Sequence, residues 1–363
     1  MIINANNIDR GLNIMAVTTR KFGVLESGQE VTLYRITNAI GAYVSIIDYG
    51  ATIVELCVPD RTGKLVDVLL GCDDVHAYEH TSGYLGALIG RYGNRIGKGR
   101  FPLDGKMLQL ELNDGNNHLH GGFKGFNYFI WDAQIVDGGV CFSRVSPDGE
   151  GNYPGNLSVK CTYTFSDDCQ LKLHYEAETD KLTVCNLTNH SYFNLNGHNS
   201  GTIVNHEVQI LADKFTVVDA ESIPTGELRP VEGTCFDFRK PVVIAEGLKC
   251  DCEQLRNTGG YDHNFVLSDE PGMRKAASVY GPDTGIVMDV YTDQPGVQLY
   301  IGNFLDGTMP IKGGNGEGYQ ARTGLCLETQ YYPDSVNHPE WPQPFLKPGE
   351  KYDTATVYKF SAR

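Results

Sequence analysis

The sequence of 363 residues has no apolar run long enough to cross a membrane as a helix and no long segment with helical periodicity. It is also poor in basic residues, with 30 Lys and Arg against 45 Asp and Glu and a formal net charge of -15. A surface of this charge repels phosphate backbones and anionic lipid surfaces. These shortages argue against a protein that binds nucleic acid or membranes.

Familiar metal and nucleotide motifs are also missing from the sequence. Cys250 and Cys252 have C-x-C spacing, which is not a zinc motif, and neither C-x-x-C nor H-E-x-x-H occurs. The glycine-rich basic run 90–100 matches neither the P-loop pattern nor G-x-G-x-x-G, and no helical pattern follows it. We therefore expect no metal, no nucleotide and no other cofactor.

The cysteines and the first residues bear on the location of the protein. Ten cysteines in a long chain without a secretory signal favour reduced, mostly buried thiols. The first 17 residues, MIINANNIDRGLNIMAV, carry charged and polar groups where a signal peptide needs an apolar core. We expect a cytoplasmic protein, and the scattered acidic excess is typical of a soluble surface.

Apolar and polar residues alternate with period two along much of the chain, as expected for half-exposed strands. In the clearest run, 171–178, Leu, Leu, Tyr and Ala alternate with Lys, His, Glu and Glu. Similar runs cover 31–36, 53–58, 182–193, 208–211, 286–292, 297–303, 325–330 and 356–360. Turn-forming clusters separate runs, and no linker divides the chain. The pattern predicts one all-β domain over 1–363, an antiparallel β-sandwich.

Segment 182–195, LTVCNLTNHSYFNL, has the composition of a strand but is interrupted by neutral polar residues. These are Asn186, Asn189, His190, Ser191 and Asn194. Because buried polar groups must be paired, the segment indicates a polar network or a concave site on one sheet face. Whether its histidine is a core residue within an asparagine network or a functional group stays open from this segment alone.

Glu328 lies in LCLETQ, residues 325–330, on the same strand face as Cys326 and Gln330. A carboxylate among apolar neighbours is unusual, because Glu is almost never fully buried unless it is paired. Partial burial would raise its pKa towards the range that suits a general base. An exposed edge carboxylate and a structural ion pair are the alternatives.

Two further polar segments are ambiguous by themselves. NNHLHGG, residues 116–122, holds His118 and His120 at i and i+2, which places them on one face if the chain is extended. Either histidine is a candidate zinc ligand, although turn chemistry is the commoner reason for such Asn and Gly richness. GYDHNF, residues 260–265, contains Asp262 and is also a turn candidate.

Six blocks, taken in order, resemble the aldose 1-epimerase (galactose mutarotase) family from about residue 20 to the C-terminus. The blocks are GRYGNRIGKGRF, NNHLHGG, NLTNHSYFNL, GGYDHNFVL, PGVQLYIGNFLDG and LETQYYPDSVNHPEWP. Chance agreement of six ordered blocks is implausible. The resemblance implies a large antiparallel β-sandwich, the galactose mutarotase-like supersandwich, with an open sugar-binding cleft.

The same resemblance implies roles for individual residues. Glu328 matches the general base of the family, and His190 matches its general acid. Arg91 lies close to the basic binding position, but Arg95 matches it better. The implied substrate-binding residues are Asn94, Arg95, His120, Asp262 and Gln298.

These roles suit the interconversion of the α and β anomers of a free hexose such as galactose or glucose. The reaction takes a proton from the anomeric hydroxyl and gives one to the ring oxygen, so that the ring opens and recloses on the other face. Glu328 as carboxylate takes the first proton and protonated His190 gives the second, which requires the pKa of His190 to lie above that of Glu328. No electron or group leaves the sugar, so the reaction needs neither metal nor cofactor.

Aromatic residues and one longer segment bear on substrate choice. Phe304 or Tyr331 packs either on the apolar face of the sugar or in the core. Segment 307–322 looks slightly longer than usual for the family, and we expect it to reshape the cleft mouth. The sequence leaves open which sugar is preferred and whether the protein is a monomer or a homodimer.

Three other functions fit parts of the sequence. A glycoside hydrolase would use Asp262 and Glu328 as a carboxylate pair across a glycosidic bond. A hexose-6-phosphate epimerase would need additional basic residues at the cleft. A non-catalytic carbohydrate-binding module would have lost the acid and the base, whereas this sequence keeps both matched positions.

Overall fold

The computed structural model describes residues 16–81 and 83–363. The expectation for the first 17 residues therefore lies outside the described residues, apart from Ala16 and Val17. Within the described ranges the longest helices have six residues, and no helix is long and apolar enough to cross a membrane.

Strands dominate the regular structure of the described residues. In chain order they are β1 (Ala16–Val24), β2 (Glu30–Thr37), β3 (Tyr43–Ile47), β4 (Thr52–Pro59), β5 (Leu65–Asp67), β6 (Leu88–Ile89), β7 (Arg95–Ile96), β8 (Arg100–Leu103), β9 (Lys106–Gln109), β10 (His118–Leu119), β11 (Asp132–Val136), β12 (Gly139–Ser146), β13 (Leu157–Phe165), β14 (Gln170–Thr179), β15 (Thr183–Val184), β16 (Thr188–Asn189), β17 (Glu207–Ile210), β18 (Lys214–Val218), β19 (Pro224–Pro230), β20 (Val242–Val243), β21 (Asp262–Val266), β22 (Arg274–Tyr280), β23 (Ile286–Thr292), β24 (Gly296–Tyr300), β25 (Asp306–Pro310), β26 (Gly318–Gln320), β27 (Cys326–Gln330), β28 (Phe345–Leu346) and β29 (Tyr352–Ala362). The helices are α1 (Val75–His80), α2 (Ile244–Gly247) and α3 (Glu253–Thr258), and short 3-10 turns cover Gly97–Gly99, Phe126–Tyr128, Glu150–Asn152 and Ser335–Asn337.

Three larger sheets organise the chain, and neighbouring strands in each are antiparallel. The large sheet has nine strands in the order β11-β12-β13-β14-β29-β23-β22-β17-β20. The N-terminal sheet has the order β1-β2-β3-β4-β5, and the polar sheet, so named for its buried polar side chains, has the order β19-β18-β21-β24-β27. Pairs of two strands complete the fold: β10-β7, β15-β28, β16-β6, β25-β26 and β8-β9.

Strand β14, the fourth of the nine strands of the large sheet, shows why the alternating pattern predicts this architecture. Leu171, Leu173, Tyr175 and Ala177 are buried, while the residues between them are exposed or half-buried. The strand pairs with β13 and β29, so the apolar rows of three strands form one continuous face. Covering that face removes apolar surface from water and stabilises the fold.

The two smaller sheets cover this apolar face of the large sheet. The ring of Tyr34 in the N-terminal sheet meets Phe142 edge-on at 5.6 Å between centroids, and the Tyr163 hydroxyl donates to the Ala51 carbonyl oxygen at 2.8 Å. On the polar sheet, the carbonyl oxygen of Leu327 accepts a hydrogen bond from the Tyr358 hydroxyl at 3.1 Å. The prediction of an antiparallel β-sandwich is confirmed.

The prediction of one strand over 182–193 is wrong, because only the short strands β15 and β16 form there. The asparagines bond to backbone atoms of neighbouring loops instead of facing outwards. The Asn189 amide donates to the Gly86 carbonyl oxygen at 2.9 Å, and the Asn194 amide donates to that of Thr323 at 3.0 Å. These bonds hold a buried, irregular segment between the sheets. The other predicted runs do form strands, with shifted ends.

Candidate active site

One face of the polar sheet carries a row of polar side chains. In the strand register Gln298 lies opposite both Asn264 and Glu328, and Asp262 lies opposite Tyr300. Because opposed residues share a face, these side chains project to the same side. The alternate residues of these strands are largely apolar and join the main core, which fixes the orientation of the polar row.

Arg95 comes from the short strand pair β7–β10, and its neighbours Asn94 and His120 are held by reciprocal hydrogen bonds. The Asn94 backbone N–H donates to Nδ1 of His120 at 3.0 Å, and the His120 N–H donates to the Asn94 carbonyl oxygen at 3.2 Å. Both residues have positive φ, 64° and 51°. Since Nδ1 is an acceptor, the neutral ring carries its proton on Nε2.

The expectation that His118 and His120 share a strand face is not met. The extended chain ends at Leu119, and the left-handed backbone at His120 redirects its ring. His118 bonds to the Tyr153 hydroxyl at 2.5 Å and to the Glu111 carbonyl oxygen at 2.8 Å, so it is a satisfied buried histidine.

A cavity of about 310 Å³ brings most of the predicted site residues together. Gln298 does not line the cavity. Its Nε2 donates to Oδ1 of Asp262 at 2.6 Å and so orients the carboxylate that does line it. Arg91 also lies elsewhere, donating to Ser146 Oγ and nearby carbonyl oxygens, so Arg95 is the arginine at the cavity. The predicted residues that do line the cavity are Asn94, Arg95, His120, His190, Asp262 and Glu328.

Glu328 and His190 face each other in this cavity, with Oε1 and Nε2 3.8 Å apart. Their side chains are 2% and 5% exposed, so the alternative of an exposed edge carboxylate is wrong. The separation exceeds hydrogen-bond length, and Oε2 of Glu328 has no hydrogen-bond partner. Nδ1 of His190 lies 3.6 Å from the Cys326 sulfur, so Nε2 is the nitrogen that faces the carboxylate. A buried, unpaired carboxylate oxygen is costly, which indicates an atom reserved for a ligand.

Burial controls the protonation of this pair. Burial and, second, the charge of Asp262 raise the pKa of Glu328 well above its usual value, against the opposing effect of Arg95. Burial lowers the pKa of His190 to about 4. The expectation that the pKa of His190 lies above that of Glu328 is therefore wrong for the site without sugar. Desolvation penalises the charged form of each group and therefore favours a neutral carboxyl group beside a neutral imidazole.

Arg95 lies between two carboxylates at one side of the cavity. Its Nε donates to Asp114 at 2.8 Å, and one terminal nitrogen lies 3.8 Å from Asp262. Burial opposes the charge on Arg95, but Asp262 and Asp114 outweigh it and raise its pKa. Burial also raises the pKa of Asp262, while Arg95 and Gln298 lower it. The arrangement gives the cavity fixed donors and acceptors for hydroxyl groups.

The cavity also contains residues that the sequence analysis missed. Tyr192 and Tyr300 lie two positions after His190 and Gln298, so period-two spacing could have found them. Tyr84 and Asp114 come from loops with no local signal. The tyrosine rings surround His190, with centroid distances of 5.0 Å for Tyr192, 5.8 Å for Tyr84 and 6.1 Å for Tyr300.

Phe304 and segment 307–322 form the outer wall of the cavity. Phe304 lines the cavity and is 63% exposed, so a core role for it is wrong, whereas Tyr331 packs against the main core. Much of the segment is the hairpin β25–β26, in which Thr308 and Met309 line the cavity. Lys312 anchors the segment through an ion pair of 2.6 Å with Asp67.

His120, His190 and Glu328 also form a candidate metal-ligand set. Their ligand atoms all lie within 4.8 Å of one another. Two imidazoles and a carboxylate are a ligand set that zinc accepts. The absence of a metal requirement thus stays a prediction, which a chelation experiment tests.

A family model described as aldose 1-epimerase matches residues 32–359 of the chain. The galactose mutarotase of Bos taurus is 48% identical over 348 residues, which cover 96% of this chain and 99% of the relative. The aldose 1-epimerase of Escherichia coli (strain K12) is 43% identical over 341 residues, covering 92% and 96%.

The three-dimensional fold is also similar to those of solved structures. An aldose epimerase homologue from C. elegans superposes with a TM-score of 0.83 at 32% identity, covering 90% of this chain and 98% of that one. A galactose 1-epimerase from Lactobacillus acidophilus NCFM gives 0.82 at 28% identity, covering 96% and 99%. The region matched by the family model contains the cavity residues from Gly83 to Glu328.

Proposed function

The chain belongs to the aldose 1-epimerase family, and from this premise we propose that it interconverts the α and β anomers of free hexoses such as galactose and glucose, with Glu328 as base and His190 as acid. The opposed pair of Glu328 Oε1 and His190 Nε2, 3.8 Å apart in a cavity of about 310 Å³, carries this assignment. A cavity of this size is within the range of small-molecule sites.

Ring opening is the first half of the reaction. Glu328 takes the proton of the anomeric hydroxyl while His190 gives a proton to the ring oxygen. The bond between the anomeric carbon and the ring oxygen breaks, its electron pair passes to that oxygen, and the anomeric carbon becomes an aldehyde. Both reacting oxygens are attached to one carbon, so acid and base must lie close together, as these two do.

Ring closure is the second half and uses the same groups in reverse. Rotation about the bond between the first two carbons presents the other face of the aldehyde to the ring hydroxyl. During this rotation the remaining hydroxyl groups must stay fixed. Asp262, held by Gln298, together with Arg95, Asn94 and the Nε2–H of His120 supplies that positioning, which makes the proton transfers effectively intramolecular.

The pKa directions fit a pair that carries one proton. The forms with neutral Glu328 and neutral His190, or with a carboxylate and an imidazolium, contain the same number of protons and therefore do not depend on pH relative to each other. Burial makes the carboxylate a stronger base and the imidazolium a stronger acid than either would be in water. The form with a carboxylate and an imidazolium is less populated, but it is the better form for exchanging protons with sugar oxygens.

Polarimetry tests the proposal and separates it from the rivals. The protein should accelerate the decay of optical rotation of freshly dissolved α-galactose and α-glucose. Release of reducing sugar from a galactoside would support a glycoside hydrolase instead, and sugar binding without acceleration would support a binding module. Arg95 is the only Lys or Arg among the described residues that line the cavity, and it already contacts the carboxylates of Asp114 and Asp262. The described lining of the cavity therefore offers no free cation for a phosphate group, which argues against a hexose-6-phosphate as preferred substrate.

We also propose that the protein is cytoplasmic, has a single domain and exists as a monomer or homodimer. We further propose that it binds neither nucleic acid nor membranes. The net charge of -15 and ten free cysteines support it. Light scattering after size exclusion gives the oligomeric state, and one cooperative unfolding transition would support a single domain. Fractionation of cells tests the location.

A further inference from the structure

Three cysteines outside the proposed reaction meet at one place, which we name the thiol cluster. Cys235 follows β19, Cys250 lies between α2 and α3, and Cys252 immediately precedes α3. Their sulfur atoms all lie within 4.8 Å of one another, and those of Cys235 and Cys252 are 3.4 Å apart. They do not line the sugar cavity, so the cluster is a separate feature.

The cysteines of the thiol cluster are more exposed than most other cysteines of the chain, so core packing does not explain why they lie together. Six of the ten cysteines are buried, as is usual for thiols that serve as small apolar core residues. Cys141 on β12 is half-buried, and the three other accessible cysteines are those of the thiol cluster. Packing does not require accessible thiols from two separate segments to converge.

The cluster is preorganised at one side and open at the other. Phe236, next to Cys235, stacks on Phe215 at 4.2 Å between ring centroids. The Cys235 carbonyl oxygen accepts a hydrogen bond from the Tyr261 hydroxyl at 2.7 Å, which fixes the loop against β21. Cys250 is exposed, so a small ion can enter from solvent.

The distances between the sulfur atoms allow a bound metal ion to be compared with a disulfide bond. Tetrahedral zinc, with Zn–S bonds of about 2.3 Å, separates its sulfurs by about 3.8 Å, which lies between the 3.4 Å of the Cys235–Cys252 pair and the 4.8 Å limit that contains all three sulfurs. A disulfide needs an S–S distance of about 2.05 Å and would leave the third sulfur unused. Thiolates are the ligands that soft cations prefer, and three of them suit either trigonal Cu⁺ or Zn²⁺ with an open fourth position.

We propose that the thiol cluster binds one thiophilic d¹⁰ cation, Zn²⁺ or Cu⁺, through the three thiolates of Cys235, Cys250 and Cys252. Each coordinating thiol gives up its proton to solvent, so binding strengthens as pH rises. The site is independent of the epimerase reaction.

Metal titrations of the reduced, full-length protein in the absence of oxygen test this site. Co²⁺ is the spectroscopic probe for the zinc arm, because thiolate ligation gives an intense near-ultraviolet charge-transfer band. Competition with a chromophoric chelator then gives the Zn²⁺ affinity, and the same titration with a Cu⁺ chelator gives the Cu⁺ arm. We expect one equivalent with thiolate absorption, and the tighter arm identifies the ion.

Variants separate the thiol cluster from the catalytic pair. Cys250→Ser should weaken the thiolate band and lower the affinity at least tenfold, while Cys141→Ser, the matched control, should change neither. Metal held by His120, His190 and Glu328 would show no thiolate band and would block turnover. Cys250→Ser should keep full epimerase turnover, so failure of the metal site and failure of the proposed function give different results.

Two results would overturn the metal site. One is a Co²⁺ or Cu⁺ titration in which the unaltered protein and Cys250→Ser behave alike. The other is a Cys235–Cys252 disulfide that persists in a cytosol-like glutathione buffer, seen by mass spectrometry of alkylated protein, because it removes two of the three ligands.

Discussion

Strands β14 and β27 belong to facing layers of one sandwich but differ in the kind of side chain that they bury. In β14 the buried residues are apolar and the polar residues face outwards. In β27 all five residues are buried, including Glu328 and Gln330. The first pattern stabilises the fold by removing apolar surface from water, whereas the second places polar groups where water cannot satisfy them.

Buried polar atoms without hydrogen-bond partners follow the same division among the described residues. On the large sheet they are Tyr175 Oη and Arg274 Nε. On the polar sheet they include Gln298 Oε1, Glu328 Oε2, His263 Nε2 and the side-chain atoms of Asn264 and Gln330. Because unpaired buried polar atoms cost stability, we expect the polar sheet to contribute less to the stability of the fold than the large sheet.

The largest expected effect is the loss of turnover on removing the base from β27. Glu328→Gln keeps the shape of the side chain but cannot accept a proton, so turnover should fall by about 10²- to 10⁴-fold or more. The melting temperature should be unchanged or higher, since the variant removes a buried acid. Glu176→Gln on β14, where Glu176 pairs with Lys351 at the surface, is the matched control and should keep turnover. Near-normal turnover of Glu328→Gln would place the base elsewhere, with Asp262 the next candidate.

Histidine variants sharpen the comparison through the pH dependence of turnover. The unaltered enzyme should give a bell, with an acidic limb where the pair gains a second proton, near the His190 pKa of about 4, and a basic limb where it loses its only proton. His190→Asn should lose most turnover and the basic limb, because its residual rate rises as Glu328 ionises.

Two other histidines serve as references for His190. His120→Asn should raise KM and keep the bell, and His174→Asn on β14, where His174 pairs with Asp353, should change neither. A folded His190→Asn protein with an unchanged basic limb would remove His190 as the acid.

A core substitution on β14 should produce the opposite result to that on β27. Leu173→Ala removes a fully buried side chain and should lower the free energy of unfolding by about 2 to 5 kcal/mol. Turnover per folded molecule should not change, because the strand does not reach the cavity. Chemical denaturation and active-site-normalised rates measure the two quantities. A rate loss without a stability loss would show that the two layers are not separable.

Acid stability should reflect the buried neutral histidines. Burial lowers the pKa of His118 and His190 to about 4 and that of His206 and His263 to about 3. Below the unfolded value of about 6.5 the unfolded chain binds more protons than the folded chain, so stability falls as pH drops from about 6.5 towards about 3. Denaturant midpoints across this range measure the slope. Buried carboxyl groups with raised pKa values, such as Asp48 and Glu328, act in the opposite direction, so the histidine contribution is the part of the slope that disappears in His206→Gln. A slope unchanged in that variant would contradict the burial of a neutral imidazole at His206.

Chelation should have the smallest effect. Proton transfer needs no Lewis acid, so turnover after exhaustive treatment with a chelator should equal that before treatment. Activity lost in chelator and restored by a divalent ion would make His120, His190 and Glu328 metal ligands.

Local sequence patterns predict those parts of the structure that depend on local periodicity. The alternation in 171–178 predicts β14 because each side chain meets either the core or solvent. The blocks around Arg95, His190 and Glu328 predict residues that do meet in one cavity.

Other features depend on contacts between distant segments. The break-up of 182–193, the position of Gln298 behind Asp262 and the reversed pKa order of His190 and Glu328 follow from three-dimensional surroundings. The thiol cluster is similar: C-x-C spacing gives no indication that Cys235 completes it.

A double-mutant cycle on the opposed pair tests the central claim most directly. Rates of anomer interconversion for Glu328→Gln, His190→Asn and the double variant can be compared by polarimetry on fresh α-galactose. If the two groups act as one acid–base unit, the double variant should be hardly slower than the slower single variant. Losses that multiply, with the double variant slower by the product of the two single effects, would contradict the pair as the catalytic unit.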